Sequence, residues 1–258
     1  EYDSRSLPAD QIDPASAKLF ASEFERTTSF LSVGGIAAVH STGRDRDSIW
    51  DAMKRREVYG TSGHRMLLWF DLLQNNRTSP MGSAVTMDTV PRFRAKAIGS
   101  FKQLPGCPDY VVDALDKKHL QKMAQGECYH PSDERYQITS IEVIKIRPQA
   151  LAGEAITPLI EDSWKTFKCE PSADGCSIEF EDPNFVAEGR DALYYVRALE
   201  EPIATINGDN LRTTFDENGQ AMATDMCFGD YRVASSDDCQ NLNSQRAWSS
   251  PIFVDYKN

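Results

Sequence analysis

The chain has 258 residues, of which 40% are hydrophobic and 26% are charged, and its formal net charge is −11. This composition is typical of a globular protein with a sizeable core. The negative charge argues against nucleic acid as a partner, because a nucleic-acid interface needs a basic face. No apolar run is long enough to cross a bilayer as a helix, so the sequence predicts no membrane span.

The first elements predicted are helical and then βαβ-like. Pro14 to Phe30 has a partial apolar stripe at helical spacing, with the proline in the first turn. Gly35 to His40 is a short apolar strand, and Asp45 is placed to cap a helix whose Ile49, Trp50 and Met53 share one face. Met66 to Leu73 is almost continuously apolar, which predicts a strand buried on both faces.

Beyond Gly82 the pattern changes to mainly β. Residues 1–82 are therefore predicted to end an α/β domain, and residues 83–258 to form a mainly β, sandwich-like module. Leu104 to Cys128 is interpreted as an insertion with a short helix around Asp113 to Ala124. A hairpin turn is predicted at Glu217 to Gly219, because Asn-Gly tolerates positive φ. The strands predicted in this half are Pro91–Lys102, Ile138–Ile146, Ser177–Phe180, Ala192–Leu199 and Trp248–Tyr256.

Six cysteines fall into three local pairs, each flanking sequence rich in Gly, Pro or Asp. We therefore predict the disulfides Cys107–Cys128, Cys169–Cys176 and Cys227–Cys239. Other pairings are formally allowed, and buried free thiols in a cytosolic protein are the alternative, but loops this short favour sequential pairing. Disulfides in turn predict a periplasmic or secreted protein.

Several segments together carry a resemblance to a known family. They are Ser48–Glu57 (SIWDAMKRRE), Tyr59–Met66 (YGTSGHRM), Gly126–Tyr129, Ile141–Val143, Asp191–Arg197 and Ala247–Val254. As a set they resemble the bacterial domain-of-unknown-function family 3604, which is related to PHP-like metal-dependent hydrolases. One departure is His64, where many members have proline. The resemblance covers nearly the whole chain.

The resemblance implies an α+β fold class, in which the end of a PHP-like α/β barrel precedes the β module. It implies hydrolysis of a phosphoester, ester or amide in a small-molecule substrate, with a divalent metal in the full-length protein. PHP-type sites hold metal with His-x-His and Asp-x-His motifs, and neither occurs among His40, His64, His119 and His130. The metal ligands are therefore expected upstream of Glu1, in an N-terminal portion that is this chain's main partner, and this chain alone is expected to hold none.

The candidate site is the turn from Thr61 to Arg65. Arg65 can clamp an anion and His64 can transfer protons, so both are candidate catalytic residues. Thr61, Ser62 and His40 join Arg65 as candidate substrate-binding residues, because ligands gather at strand ends in α/β folds. A structural role for the glycines, for Arg65 and for His40 stays open. A Ser62–His64 nucleophile pair is disfavoured, because the sequence places no acid to orient the histidine.

The remaining polar groups have plainer interpretations. His119 and His130 are expected to be exposed, and the acidic group Glu179, Glu181 and Asp182 to be a solvated turn rather than a calcium site. Two function classes remain. The chain is either the C-terminal part of a metal-dependent hydrolase or a disulfide-stapled envelope module that binds or supports without catalysis.

Overall fold

A computed structural model of the protein describes residues 34–74, 77–124, 128–206, 213–224 and 240–257. The helices are α1 (Arg46–Lys54), α2 (Asp109–Ala114), α3 (Lys117–Ala124) and α4 (Phe185–Glu188), with a 3₁₀ turn at Thr157–Leu159. The strands are β1 (Ile36–Val39), β2 (Val58–Thr61), β3 (Leu67–Gln74), β4 (Arg77–Pro80), β5 (Ala84–Met87), β6 (Arg92–Ile98), β7 (Phe101–Pro105), β8 (Tyr129–Arg135), β9 (Ile138–Ile146), β10 (Ile160–Lys168), β11 (Cys176–Glu181), β12 (Ala192–Ile206), β13 (Thr213–Phe215), β14 (Ala221–Thr224), β15 (Gln240–Ser249) and β16 (Ile252–Tyr256).

Two sheets dominate the described residues, and neither is closed. The larger has the order β1-β2-β15-β12-β16-β5, with β9 pairing to β12 and β10 to β9. The smaller has the order β11-β6-β3-β4. Most of the strand pairs in the described residues are antiparallel, and β16 with β5 is parallel. The fold is therefore β-rich α+β, as predicted at that level.

The core holds the inward faces of both sheets. Each strand contributes every second residue, which is the period of an extended chain. In β6 these residues are Phe93, Ala95 and Ala97, and in β12 they are Tyr194, Val196 and Ala198. An aromatic contact joins the sheets, since the Phe93 ring of β6 lies tilted against the Tyr194 ring of β12 with the ring centroids 4.7 Å apart. Within the smaller sheet, Phe93 also stacks on Phe180 at 5.1 Å. Other buried members are Leu68, Phe70, Leu72, Ile141, Val143, Ile252 and Val254.

The strand predicted over Met66–Leu73 exists as β3, but it was wrongly predicted to be buried on both faces. Leu68, Phe70 and Leu72 are buried, whereas Leu67 is exposed and the other alternate residues are half-buried. Its neighbours β4 and β6 run antiparallel to it. The prediction was wrong because the outer face of β3 is also largely apolar, and hydrophobic periodicity cannot distinguish a partly covered face from a fully covered one.

Helix α1 begins where the sequence predicts. The Asp45 carboxylate accepts the Ser48 N–H at 2.9 Å, and its hydrogen bonds with Ser48 lower the pKa of Asp45. Ile49, Trp50 and Met53 share a face, but 36%, 56% and 51% of these residues is exposed. The buried residue of this helix is Ala52 instead.

Two of the three predicted disulfides are present. Cys107–Cys128 closes the insertion that carries α2 and α3, and Cys169–Cys176 closes the short connection between β10 and β11. The third predicted pair, Cys227–Cys239, lies outside the described residues, as does the predicted helix Pro14–Phe30. Within the described residues, no helix combines the length and apolarity that crossing a bilayer requires.

Other predicted elements are confirmed or corrected in detail. The strands Ile138–Ile146 and Ser177–Phe180 are confirmed, and β13 and β14 form the hairpin predicted around Gly219. The predicted strand Trp248–Tyr256 is two strands, because Pro251 falls in the break between β15 and β16. The insertion holds two short helices rather than one.

The chain divides into two compact units. The larger comprises residues 37–200 and 246–258, and the smaller comprises 1–36 and 201–245. The boundary predicted near Gly82 stays a prediction, and the smaller sheet draws strands from both sides of that position.

Candidate functional site

The Thr61–Arg65 turn follows β2 and is held by backbone contacts. Thr61 pairs with Ala247 of β15, and the Ser62 N–H donates to the Arg246 carbonyl at 2.9 Å. Gly63 has φ 136°, a value that favours glycine, and its N–H donates to the Thr61 hydroxyl at 3.2 Å. Two adjoining strands thus fix the entry to the turn.

The side chain of a buried tyrosine makes a hydrogen bond across the same turn. The Tyr59 hydroxyl donates to the Met66 carbonyl at 2.9 Å across the turn, and both residues are buried. Burial raises the pKa of Tyr59, so its proton stays on the hydroxyl. The turn therefore has a defined shape before any ligand binds.

Three of the predicted substrate-binding residues have structural contacts. Thr61 is buried and bonded within the turn, and the Ser62 hydroxyl accepts the Arg246 N–H at 2.9 Å. His40 Nε2 lies 2.8 Å from the Leu68 carbonyl. These contacts make Thr61, Ser62 and His40 parts of the scaffold, and their role toward a substrate stays a prediction.

His64 is bound to a buried carboxylate that comes from far along the chain. Its Nδ1 lies 2.5 Å from Glu200 Oε2, and the two residues are 136 positions apart. The Glu200 side chain is 1% exposed, whereas that of His64 is 25% exposed. The other Glu200 oxygen accepts the Ser100 N–H at 2.6 Å. A carboxylate inside the protein therefore orients a ring at its surface.

Two further groups support the imidazole. The Tyr136 ring stacks on that of His64 with centroids 5.0 Å apart, and the Ser100 hydroxyl lies 3.1 Å from Nδ1. The hydroxyl and Glu200 thus meet the same ring nitrogen. Ser100 is 4% exposed, so it is not placed as a nucleophile that the other nitrogen of His64 could activate.

Arg65 differs from its neighbours in the turn. Its side chain is exposed, and within the described ranges it has no hydrogen bond or ion pair. A guanidinium in that position can bind a carboxylate or phosphate with two parallel hydrogen bonds. The turn therefore contains an exposed cation at the position that follows the oriented imidazole in the chain.

A second ionic cluster is mostly buried, and of its four side chains only Glu188, 24% exposed, reaches the surface. Lys145 Nζ is 2.7 Å from Asp182 Oδ2 and 2.8 Å from Glu188 Oε2, and the Tyr194 hydroxyl donates to Asp182 at 2.6 Å. Burial acts to raise the pKa of Asp182, but hydrogen bonds from Lys145 and Tyr194 outweigh it and the pKa lies below its usual value. Burial, reinforced by Asp182, raises the pKa of Tyr194 strongly. Lys145, Asp182 and Tyr194 are thus buried and bonded within the protein, out of reach of a ligand.

The acidic group predicted to be a solvated turn is partly buried. Asp182 has no exposed surface and pairs with Lys145, so that prediction is wrong for Asp182. Glu179 pairs with Arg92 at 2.6 Å on the surface. In the part of the chain that the structure describes, no group of three or more His, Cys, Asp or Glu side chains is placed to hold a metal ion.

Sequence reasoning missed Glu200, Ser100 and Tyr136, the groups that orient His64. A signal for Glu200 exists in the alternation of β12, because Tyr194, Val196 and Ala198 face the core and Glu200 continues that face. A carboxylate on a core face needs a partner. Nothing local in the sequence pointed to Ser100 or Tyr136.

A family model described as a protein of unknown function (DUF3604) matches residues 4–256. A search of curated proteins found no match, and neither did a search of solved structures.

Proposed function

This chain belongs to the DUF3604 family of proteins of unknown function, and from that premise we propose that it is part of a metal-dependent hydrolase. The bond cleaved is a phosphoester, ester or amide in a small anionic substrate. The substrate's anionic group binds at the Thr61–Arg65 turn. The protein is periplasmic or secreted, which its two disulfides favour.

One observation carries the proposal: the exposed Arg65 directly follows, in the chain, a histidine whose imidazole a buried carboxylate orients. The Glu200 side chain is only 1% exposed, so it has almost no contact with solvent. Its interaction with His64 therefore serves to orient the imidazole ring. Oriented imidazoles are the commonest proton-transfer groups in enzymes, and guanidinium groups are the usual anchors for anionic substrates. Both are present within two adjacent residues.

The metal belongs to the proposal through the family resemblance. The described residues do not fit a metal ion, since they contain no suitable group of ligands. We therefore assign no step of the reaction to it. The proposal requires ligands from a segment that the resemblance places before Glu1, and in it β1, α1 and β2 are this chain's contribution to a PHP-like α/β domain.

The test is hydrolysis by the full-length gene product, supplied with divalent metal and offered phosphomonoesters, phosphodiesters, esters and anilides. Arg65→Ala should lower kcat or raise KM at least about tenfold, roughly 1.4 kcal/mol of lost transition-state or substrate binding. Arg46→Ala is the matched control, because Arg46 is an exposed arginine on α1. It should leave the kinetics unchanged.

Two results would contradict the proposal. One is the absence of hydrolysis for every substrate class. The other is full activity in Arg65→Ala, which would make the turn structural. Equal melting temperatures of the two arginine variants ensure that any loss of activity is not a loss of folding.

A second candidate, a non-catalytic envelope module, is favoured by a different observation. Trp50 and Met53 of α1 are more than half exposed on a shared apolar face, which suits a binding surface better than a solvated helix. If this candidate is correct, the metal-loaded gene product hydrolyses nothing and both arginine variants are silent.

A further inference from the structure

The hydrogen bonds of the buried Glu200 carboxylate decide which nitrogen of the His64 ring carries the proton. Glu200 Oε1 faces the Ser100 backbone N–H at 2.6 Å, and a backbone N–H can only donate. Oε1 is therefore an acceptor. Oε2, 2.5 Å from His64 Nδ1, is left to accept from the ring. In the neutral imidazole this arrangement puts the single ring proton on Nδ1 and the lone pair on Nε2.

The ring cannot readily turn to exchange its nitrogens. The Tyr136 ring covers one face of the His64 ring, with an angle of 27° between the two ring planes. The backbone N–H of Tyr136 also donates to the Ser100 carbonyl at 2.9 Å. The backbone segments around Gly99 and Tyr136 pack so closely that a Cβ on Gly99 would lie 1.8 Å from the Tyr136 carbonyl oxygen. The residues that hold His64 are thus locked to one another by the backbone.

Nε2 is the ring atom left for other molecules. Both hydrogen bonds of the His64 ring are made at Nδ1, and among the described residues Nε2 has no partner. A quarter of the side chain is exposed, and Arg65 follows it in the chain. The lone pair of the neutral ring is therefore on the nitrogen without a protein contact.

We infer that His64 is the general base of the proposed hydrolysis and that Glu200 is its positioning residue, which fixes the base at Nε2. The inference rests on the proposed function. In the reaction, an O–H bond of a water molecule breaks and its proton goes to Nε2. The water oxygen bonds to the acyl carbon or phosphorus, the bond to the leaving group breaks, and the imidazolium returns the proton to the leaving group.

The test reads the tautomer directly. Long-range ¹H–¹⁵N correlation spectra of the labelled full-length protein, at a pH where ordinary imidazoles are neutral, show which nitrogen of His64 carries the proton, and His64→Gln identifies its signals. The wild type should carry it on Nδ1. Glu200→Gln is almost isosteric, but the amide oxygen must accept the Ser100 N–H, so the NH₂ group faces Nδ1. The proton should then move to Nε2.

Activity supplies the second readout. With its proton on Nε2, His64 cannot accept another there, so Glu200→Gln should lower kcat/KM about as much as His64→Gln, by about 10²-fold or more. Glu181→Gln is the matched control variant, because it is the same substitution at an exposed position on β11. It should keep both the Nδ1–H tautomer and most of the activity.

The outcomes separate the inference from the proposed function. An Nε2–H tautomer in the wild type overturns the inference even if hydrolysis is found, and this measurement does not depend on Glu200→Gln folding. An unchanged tautomer in a folded Glu200→Gln protein overturns it as well. An Nδ1–H tautomer with no hydrolysis of any substrate leaves Glu200 as the group that fixes the ring and overturns the proposed function instead.

Discussion

Replacing Lys145 with methionine should destabilise this protein more than most single substitutions. Lys145 is 1% exposed, and its ammonium group lies between Asp182 and Glu188, 2.7 and 2.8 Å away. Methionine fills the space of the aliphatic stem but removes the charge. Glu188 keeps a partner, because Arg147 lies 3.2 Å from its other oxygen. Asp182 keeps Tyr194 and the Asn184 N–H but has lost its cation.

The magnitude follows from that asymmetry. Removing one partner of a buried ion pair typically costs 3–5 kcal/mol, because it leaves a charge without compensation. Two hydrogen-bond donors remain on Asp182, so we expect about 3 kcal/mol, the lower end of that range. Domains are usually stable by only about 5–15 kcal/mol, so this is a large fraction. Removing both charges with Lys145→Met and Asp182→Asn should cost less than the sum of the two single changes.

Urea unfolding followed by tryptophan fluorescence measures the effect, since Trp164 lies 5.5 Å from the Lys145 ammonium. Lys168→Met, an exposed change on β10, is the control and should stay within about 0.5 kcal/mol of wild type. A loss below about 1 kcal/mol in Lys145→Met, or a cycle that is simply additive, would refute the reasoning.

The same variant should show a distinctive pH dependence. The folded pKa of Asp182 lies below its usual value, so the ionised carboxylate contributes stability above the unfolded pKa of about 3.9. That contribution is lost as the pH falls through the folded pKa. Without Lys145, burial favours the protonated form, so the stability difference between wild type and variant should shrink below about pH 4.

Four further predictions concern other parts of the chain. Replacing both cysteines of Cys107–Cys128 by serine should lower the free energy of unfolding by roughly 3 kcal/mol, and replacing those of Cys169–Cys176 by roughly 2 kcal/mol, because the closed loops span 21 and 7 residues. Urea titration measures both losses. A larger loss for Cys169–Cys176 would contradict the loop-entropy argument. Mass spectrometry of a non-reduced digest should also find Cys227–Cys239, and free thiols there would contradict that pairing. Gly99→Ala should lower the free energy of unfolding by about 1–3 kcal/mol, measured by thermal unfolding, because the added Cβ collides with the Tyr136 carbonyl oxygen. An unchanged stability would mean that the two backbone segments can separate easily. Elemental analysis of the purified chain alone should find no zinc, manganese or iron near one equivalent, and such an equivalent would contradict the absence of a site among these residues.

Much of the fold could be predicted from local patterns. The strands β6, β9 and β12 alternate or are rich in β-branched and aromatic residues, and Asp45 marks the start of α1. The pairing of β3 was not predictable in this way. Its sequence fits a fully buried strand, and only the partners β4 and β6, brought together by the tertiary fold, decide its surroundings.

The candidate site shows the same division more sharply. The turn with His64 and Arg65 was visible as a short motif, whereas Glu200 is 136 residues away and Tyr136 meets the ring only through tertiary packing. The period-two alternation of these strands also predicts which charged residues face the core. It puts Glu200 on the core face of β12 and Lys145, in line with Ile141 and Val143, on the core face of β9. Charged residues on an inward face indicate buried partners.

The pairing of early strands with late ones has a consequence for biosynthesis. Ser62 and Arg246, which exchange hydrogen bonds where β2 meets β15, are 184 residues apart, and β5 likewise pairs with β16. At ribosomal rates of about 5–20 residues per second, these strands wait roughly 10–40 s for their partners. During that interval β2 and β5 present open edges that can pair with other chains. Export of the unfolded chain before these strands pair, or a chaperone that covers their edges, would protect the protein from aggregation during synthesis.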